Sequence, residues 1–276
     1  MQEAGFTISK NDLITLLKRT QRMATINGKS IPQVKGAIIS IENDEISTFS
    51  IVRDGTSSIA CFCADIEIGS GEGESIPVSD ISLLIGALSK HSAEVKLTFA
   101  DNKLKIKSAH KQTTLQSSAD AQAFSHTKKT IAEWSADSEM RYRHTILSNP
   151  SHYTLKNGDK VDKAFSAIVD SAHLFNAIES GSMNGQKVEH YNFSAKNNVL
   201  SLEVGAEGKG KTQTRLHTNV DGDLPESVIG GGLDNVLRTV DGEVDLDFFD
   251  LTPHGGGMSL RLSFNGGCIF QREVHK

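Results

Sequence analysis

The sequence predicts an α+β fold of two similar halves, each built from two β-α-β-β-β units with helices on one face of antiparallel sheets. Three observations lead there. Four short segments carry the same apolar stripe at helical spacing. After each come alternating stretches split by tight polar turns, and before each stands one short strand-like stretch. A long polar segment that breaks the pattern, Ser118–Gly158, separates the second unit from the third. The predicted division is therefore residues 1–118, a connector over 119–158, and residues 159–276.

The stripes are Leu13/Leu16/Leu17/Thr20, Ile81/Leu84/Ile85/Leu88, Leu174/Ala177/Ile178 and Leu233/Val236/Leu237/Val240. Each is an i, i+3, i+4 set, the buried face of a helix of two to three turns. Asn11 or Asp12, Ser79 and Asp170 are the expected N-caps, and Gly181 and Gly242 the expected stops. The strands before the helices are Gly5–Ile8, Glu74–Val78, Lys163–Ala167 and Glu226–Ile229. The meanders after them turn at Asn43-Asp44, Asp101-Asn102, Lys196–Asn198 and, in a longer turn, Pro253–Gly257. Their third strands are Ser57–Cys63, His110–Ser117, Thr212–Thr218 and Gly267–Val274. Within the connector, His126–Ser135, with the single tryptophan Trp134, is a candidate short helix.

Composition narrows the function classes. A net charge of −5 excludes a uniformly basic nucleic-acid binder but leaves room for a local basic face. The N-terminus lacks an apolar core, and no run approaches about 18 apolar residues, so a soluble intracellular protein is expected. Cys61, Cys63 and Cys268 read as buried thiols rather than metal ligands or a disulfide framework. The ten histidines are scattered and form no catalytic or metal set; Asp245 and Asp247 share a strand face that is expected to be solvated. No enzyme, cofactor or metal is expected.

One motif points elsewhere. Gly205–Thr212 reads GAEGKGKT and matches the phosphate-binding pattern G-x-x-x-x-G-K-[ST]. Such a loop needs a helix opening at its Lys-Thr, to bring backbone N–H groups to the phosphates. The following residues, TQTRLHT, lack helical spacing and read as a strand. The loop is expected to join two antiparallel strands, with a nucleotide-binding protein as the lesser alternative.

On the helices, Lys18 and Arg22 lie one turn apart opposite the first stripe; Lys90 and Arg238 face outward on the second and fourth. They read either as ordinary solvated surface or as a lining for a nucleic-acid backbone. The acidic clusters fall in turns and strands instead, which favours the lining.

With these residues in place, the chain resembles the DNA sliding clamps of the proliferating-cell-nuclear-antigen type along nearly its whole length. The likeness rests on the twice-doubled unit and on two stretches, VSDISLLIGALSKHSAEVKLTFADNKLKI and FSAKNNVLSLEVGAEGKGKTQTRLHT. The resemblance implies a non-enzymatic processivity factor, a homotrimeric ring that encircles duplex DNA and tethers replication proteins. It implies DNA contacts by Lys18, Arg22, Lys90, Lys209, Lys211 and Arg238. Subunits would join through edge strands carrying Lys111, Thr113 and Leu115 on one side and Thr212, Thr214 and Leu216 on the other. DNA polymerase and the clamp loader would dock short hydrophobic motifs at Phe49, Ile51, Ile269 and Phe270. The sequence departs from the family at Leu83 and Gly86, where lysines are usual, in a third helix whose one candidate is His173, and in the REVHK ending. Those departures suit a divergent clamp, viral or archaeal. The alternative within the same class is an open, monomeric or dimeric clamp-like subunit.

Overall fold

A computed structural model describes residues 4–26, 29–53, 57–71, 73, 75–117, 151–155, 157–181, 190–205, 210–220 and 222–274. Trp134 and the candidate helix at 126–135 lie outside them. The described residues fall into two units: those within Met1–Arg22, Pro32–Ile51 and Cys61–Arg141, and those within Met23–Ile31, Val52–Ala60 and Tyr142–Lys276.

In the first half of the chain, strand β1 (Ala4–Ser9) leads into helix α1 (Lys10–Gln21). A small hairpin, β2 (Met23–Ile26) and β3 (Lys29–Pro32), follows; it has no counterpart in the predicted repeat. The meander β4 (Ala37–Glu42), β5 (Glu45–Arg53), β6 (Ser57–Asp65) comes next. Then come β7 (Ser75–Val78), helix α2 (Ile81–Leu88) and a second meander, β8 (Glu94–Ala100), β9 (Lys103–Ser108) and β10 (Lys111–Gln116). The second unit repeats the plan. After β11 (His152–Thr154) come β12 (Lys160–Asp170), helix α3 (Ser171–Gly181), and β13 (His190–Lys196), β14 (Val199–Gly205) and β15 (Lys211–His217). It ends with β16 (Leu224–Gly230), helix α4 (Asp234–Leu237), and β17 (Glu243–Asp250), β18 (Met258–Phe264) and β19 (Gly267–Arg272).

The pairing exchanges strands between repeats. No strand that precedes a helix joins the meander that follows the same helix. β1 pairs with β8 and β7 with β4; likewise β16 pairs with β13 and β12 with β17, all antiparallel. The four-stranded sheets run β1-β8-β9-β10 and β16-β13-β14-β15. The second sheet runs of each unit are β7-β4-β5-β6 and β11-β12-β17-β18-β19. The turns at Asp101-Asn102 and Asn197-Asn198 have both residues at positive φ, 50° and 58°, then 53° and 62°. Asn and Asp tolerate that conformation, and it matches the twist of a two-residue hairpin.

The stripes are buried as expected: Leu13, Leu16, Leu17 and Thr20 on α1, Ile81, Leu84 and Leu88 on α2, Leu174, Ala177 and Ile178 on α3. The second helix is capped by Asp80, whose side chain accepts from the Leu83 amide, rather than by Ser79, whose amide and hydroxyl bond the Ser117 hydroxyl. Asp170 caps α3 by accepting from the His173 amide at 2.8 Å. The fourth helix is one turn, not two to three, although Leu233, Val236, Leu237 and Val240 are all buried. Its start is fixed from outside: the amides of Gly232 and Leu233 donate to the buried Tyr191 hydroxyl. Gly242, at φ 87°, stands beyond its end.

One further expectation changes. Asp247 is 2% exposed, not on a solvated face. β17 lies between β12 and β18, and each neighbour supplies a cation: Lys163 Nζ and Ser166 Oγ reach Asp247 Oδ1, both at 2.7 Å, and Arg261 reaches Oδ2 at 2.9 Å while lying over the Phe249 ring. A carboxylate can stay buried only with such partners. Of the cysteines, Cys61 and Cys268 are buried and Cys63 half-buried, and none is in a disulfide. The shared hydrogen bond with Cys61, together with burial and the Glu45 charge, holds the Cys63 thiol protonated by raising its pKa.

Gly181 ends α3 against β14: a Cβ there would stand 2.3 Å from both Cβ and Cγ1 of Val204. Gly181→Ala should lower stability by about 1–3 kcal/mol, seen as an earlier urea midpoint, because the obstacle is a branched core side chain that cannot swing away.

Candidate nucleic-acid interface and subunit edges

The helices present a thin basic surface. Lys18 is exposed on α1, and Lys90 is exposed just past α2. Between them α2 shows Leu83, 55% exposed, and Gly86. On α3 the outward positions include His173 and Glu179. Arg238, after α4, is exposed but bonds Glu179 at 2.9 Å and lies over the Phe175 ring. Such a pair is weak in water and opens readily for another anion.

Arg22 does not stand beside Lys18. At the end of α1 its φ turns to 43°, which breaks the helical register. The side chain runs inward, 4% exposed, and donates to the Ser50 carbonyl and hydroxyl at 3.3 and 3.0 Å. A buried guanidinium held this way is a structural pin, not a surface contact.

The glycine-rich loop resolves as a strand connection. Lys211–His217 is β15, antiparallel to β14, with Val204 opposite Thr212 and Gly205 opposite Lys211. The Lys-Thr therefore opens a strand, and the nucleotide-binding alternative loses the helix it needs. Lys211 bonds Glu203 at 2.7 Å; Lys209 lies outside the described residues.

The positions expected to receive hydrophobic motifs are core. Phe49, Ile269 and Phe270 are 2%, 2% and 1% exposed; the Ile51 side chain lies outside the description. Tyr153 on β11 stacks on Phe270 with ring centroids 4.5 Å apart and leans on Phe249 at 6.0 Å. The sequence assigned Tyr153 to the connector. Its signal was the short β-favouring run His152-Tyr153-Thr154.

The two expected subunit strands are both sheet edges, and each sheet has one closed and one open side. Beyond β1, the Thr7 amide donates to Ser70 Oγ and its carbonyl accepts from the Glu67 amide. Beyond β16, Ile229 bridges Glu273 and the Val274 amide donates to the Val228 carbonyl. At the opposite ends, β10 pairs only with β9 and β15 only with β14 among the described residues. Lys111 is exposed and Thr113 and Leu115 half-buried; Thr212 and Thr214 are half-buried and Leu216 buried. His91 braces the first open edge: Nδ1 meets Ser108 Oγ and Nε2 meets Thr113 Oγ1, each at 2.9 Å.

No family model matches the sequence, and no curated protein matches it. Solved structures do. The DNA polymerase III beta subunit of Thermotoga maritima superposes with a TM-score of 0.65 at 11% identity, over 99% of this chain and 65% of that one. The chain has the sliding-clamp fold. The sliding clamp (DNA polymerase III subunit beta) of Pseudomonas aeruginosa bound to griselimycin gives 0.63 at 13% identity, over 100% of this chain and 66% of that one. The clamp of Bartonella birtlesii, also bound to griselimycin, gives 0.59 at 15% identity, over 100% and 66%. The chain thus spans about two-thirds of the length of these clamps. The sequence resemblance is to the proliferating-cell-nuclear-antigen type; these matches are polymerase III beta subunits, and they share the fold. Among the described residues no cluster of His, Cys, Asp or Glu is placed to hold a metal, and no helix is long and apolar enough to cross a membrane.

Burial, then the Lys111 and Lys10 charges, lowers the His91 pKa. The folded state therefore resists a proton that the unfolded chain accepts near pH 6.5. Stability at β10 is complete above that pH and declines as pH falls through it, levelling off below the lowered folded pKa. The fall in Tm between pH 7.5 and 5.5 should be smaller in His91→Gln than in the wild type.

Proposed function

We propose that the protein is a non-enzymatic DNA tether, a sliding clamp that closes a ring around duplex DNA and holds replication proteins there. The observation that carries this reading is the pair of open edges. Two sheets of the same design each have one side closed by their own chain and the other bare among the described residues. Bare edges invite strand addition from another chain. With one such edge per unit, head-to-tail pairing of β10 with β15 of the next copy generates a ring if the rotation closes. A homotrimer is the ring we propose.

DNA binding in this reading is backbone-directed and independent of sequence. Lys18 and Lys90 supply it from α1 and α2, Lys211 and Arg238 after releasing Glu203 and Glu179, and Lys209 from the loop. Arg22 takes no part. DNA polymerase and clamp loader remain the proposed protein partners, and Phe49, Ile269 and Phe270, being core, are not where their hydrophobic motifs enter.

Edge pairing is tested with Thr113→Cys and Thr214→Cys in one chain and a short bis-maleimide. The double variant should give a covalent ladder ending in a closed trimer, and each single variant only background. A double variant that stays monomeric would remove the ring. DNA retention is tested on a nicked circular duplex. Lys18→Glu with Lys90→Glu should lower retention by about tenfold at 100 mM salt, two lost phosphate contacts, and cutting the circle should release the wild type.

A further inference from the structure

We infer that the outward face of the sheet β1-β8-β9-β10 is a second surface for the phosphate backbone of duplex nucleic acid, on the side of the sheet away from its buried core. Along β9 exposed and buried residues alternate without exception, and every exposed one is a lysine: Lys103, Lys105 and Lys107, with Leu104 and Ile106 buried between them. The register places exposed Lys96 of β8 directly opposite Lys107, and Thr98 opposite Lys105. On the other flank Gln116, Thr114 and Gln112 stand opposite the three lysines in turn.

The result is a grid of four ammonium groups. Alternate residues on a strand are about 6.6 Å apart, and directly opposed ones about 5 Å. Each lies within the screening distance of about 10 Å at 0.1 M salt of at least one other. None of the four is in an ion pair among the described residues. The one carboxylate in the same alternation on β8 is Glu94, the outward position next to Lys96 at the margin of the grid. Like charges opposed across a ladder destabilise a sheet. Acidic residues are not scarce, with 34 Asp and Glu against 29 Lys and Arg, yet none interrupts the grid. A polyanion seated on the face relieves that repulsion.

The chemistry of the face selects the polyanion. It carries no arginine fork for bidentate carboxylate pairing, and no aromatic side chain on which unpaired bases would stack. It offers evenly spaced point charges flanked by neutral hydrogen-bonding Thr and Gln. That suits a regular row of phosphates and reads no sequence. This surface needs no ring and goes beyond the tether reading.

The test uses a short duplex with streptavidin on both ends, which no closed ring can thread, followed by fluorescence anisotropy. Binding should weaken by roughly 100-fold between about 50 and 200 mM salt for four phosphate contacts. Lys105→Gln with Lys107→Gln should weaken it at least about tenfold and lower the salt slope by about two. Lys107→Glu alone, by facing Lys96 with an opposite charge, should abolish tight binding while raising the Tm of the free protein by about 1–2 °C. Unchanged binding in the Gln pair overturns the proposal. So does a polyglutamate peptide that outcompetes the duplex at equal charge, which would make the partner an acidic protein. Loss of ring closure or of circular-DNA retention affects neither arm.

Discussion

Everything in this architecture depends on the exchange of first strands between repeats. Because β1 completes the meander of the second repeat and β7 that of the first, neither repeat can form its sheets alone. The same exchange between β12 and β16 ties the second unit together. It also decides where the sheets end. The exchanged strand takes one margin of each four-stranded sheet, where neighbouring loops close it. The last strand of the meander is left at the other margin with nothing beyond it among the described residues. In the proposed ring, assembly would follow from the pairing rule itself, not from a special hydrophobic patch. The exposed polar faces of β10 and β15 are what an edge can carry without aggregating before it meets its partner.

Charge is arranged around that scaffold in three ways. On the helices it is sparse, and partly tied up in an exposed pair such as Arg238 with Glu179. In the core Asp247 is held by Lys163, Ser166 and Arg261, and Arg22 is turned onto Ser50. On the outer face of the first four-stranded sheet four lysines stand together without an ion pair among the described residues. Buried matched charge fixes a structure, whereas exposed unmatched charge costs stability and is explained by what it meets.

Much of this was legible in the chain. The leucine stripes gave the helices because their spacing is local, and the Asn and Asp turns gave the hairpins because few other residues accept positive φ. The strand after GAEGKGKT was legible for the same reason, and with it the failure of the phosphate-loop reading. What the sequence could not show was set by distant partners. Strand exchange needs contacts far apart in sequence, from Ala195 with Leu224 to Ala4 with Phe99. Asp247 looked solvated because its cations sit on two other strands. Arg22 looked like the neighbour of Lys18 because helical periodicity continues past Gln21 in sequence, though not in space. Phe270 looked available because Tyr153, which covers it, lay in a stretch with no repeat pattern. The lysines of β9 were visible as an alternation, but Lys96 joined them only through the ladder register.

The claim that the open edges close on one another is tested most directly by the mass and shape of the free particle at micromolar concentration, by light scattering and electron microscopy of the same sample. The account predicts a trimer with a central hole and the β10 and β15 edges joined in continuous sheet. A particle of one chain, or a solid dimer without a hole, would contradict it.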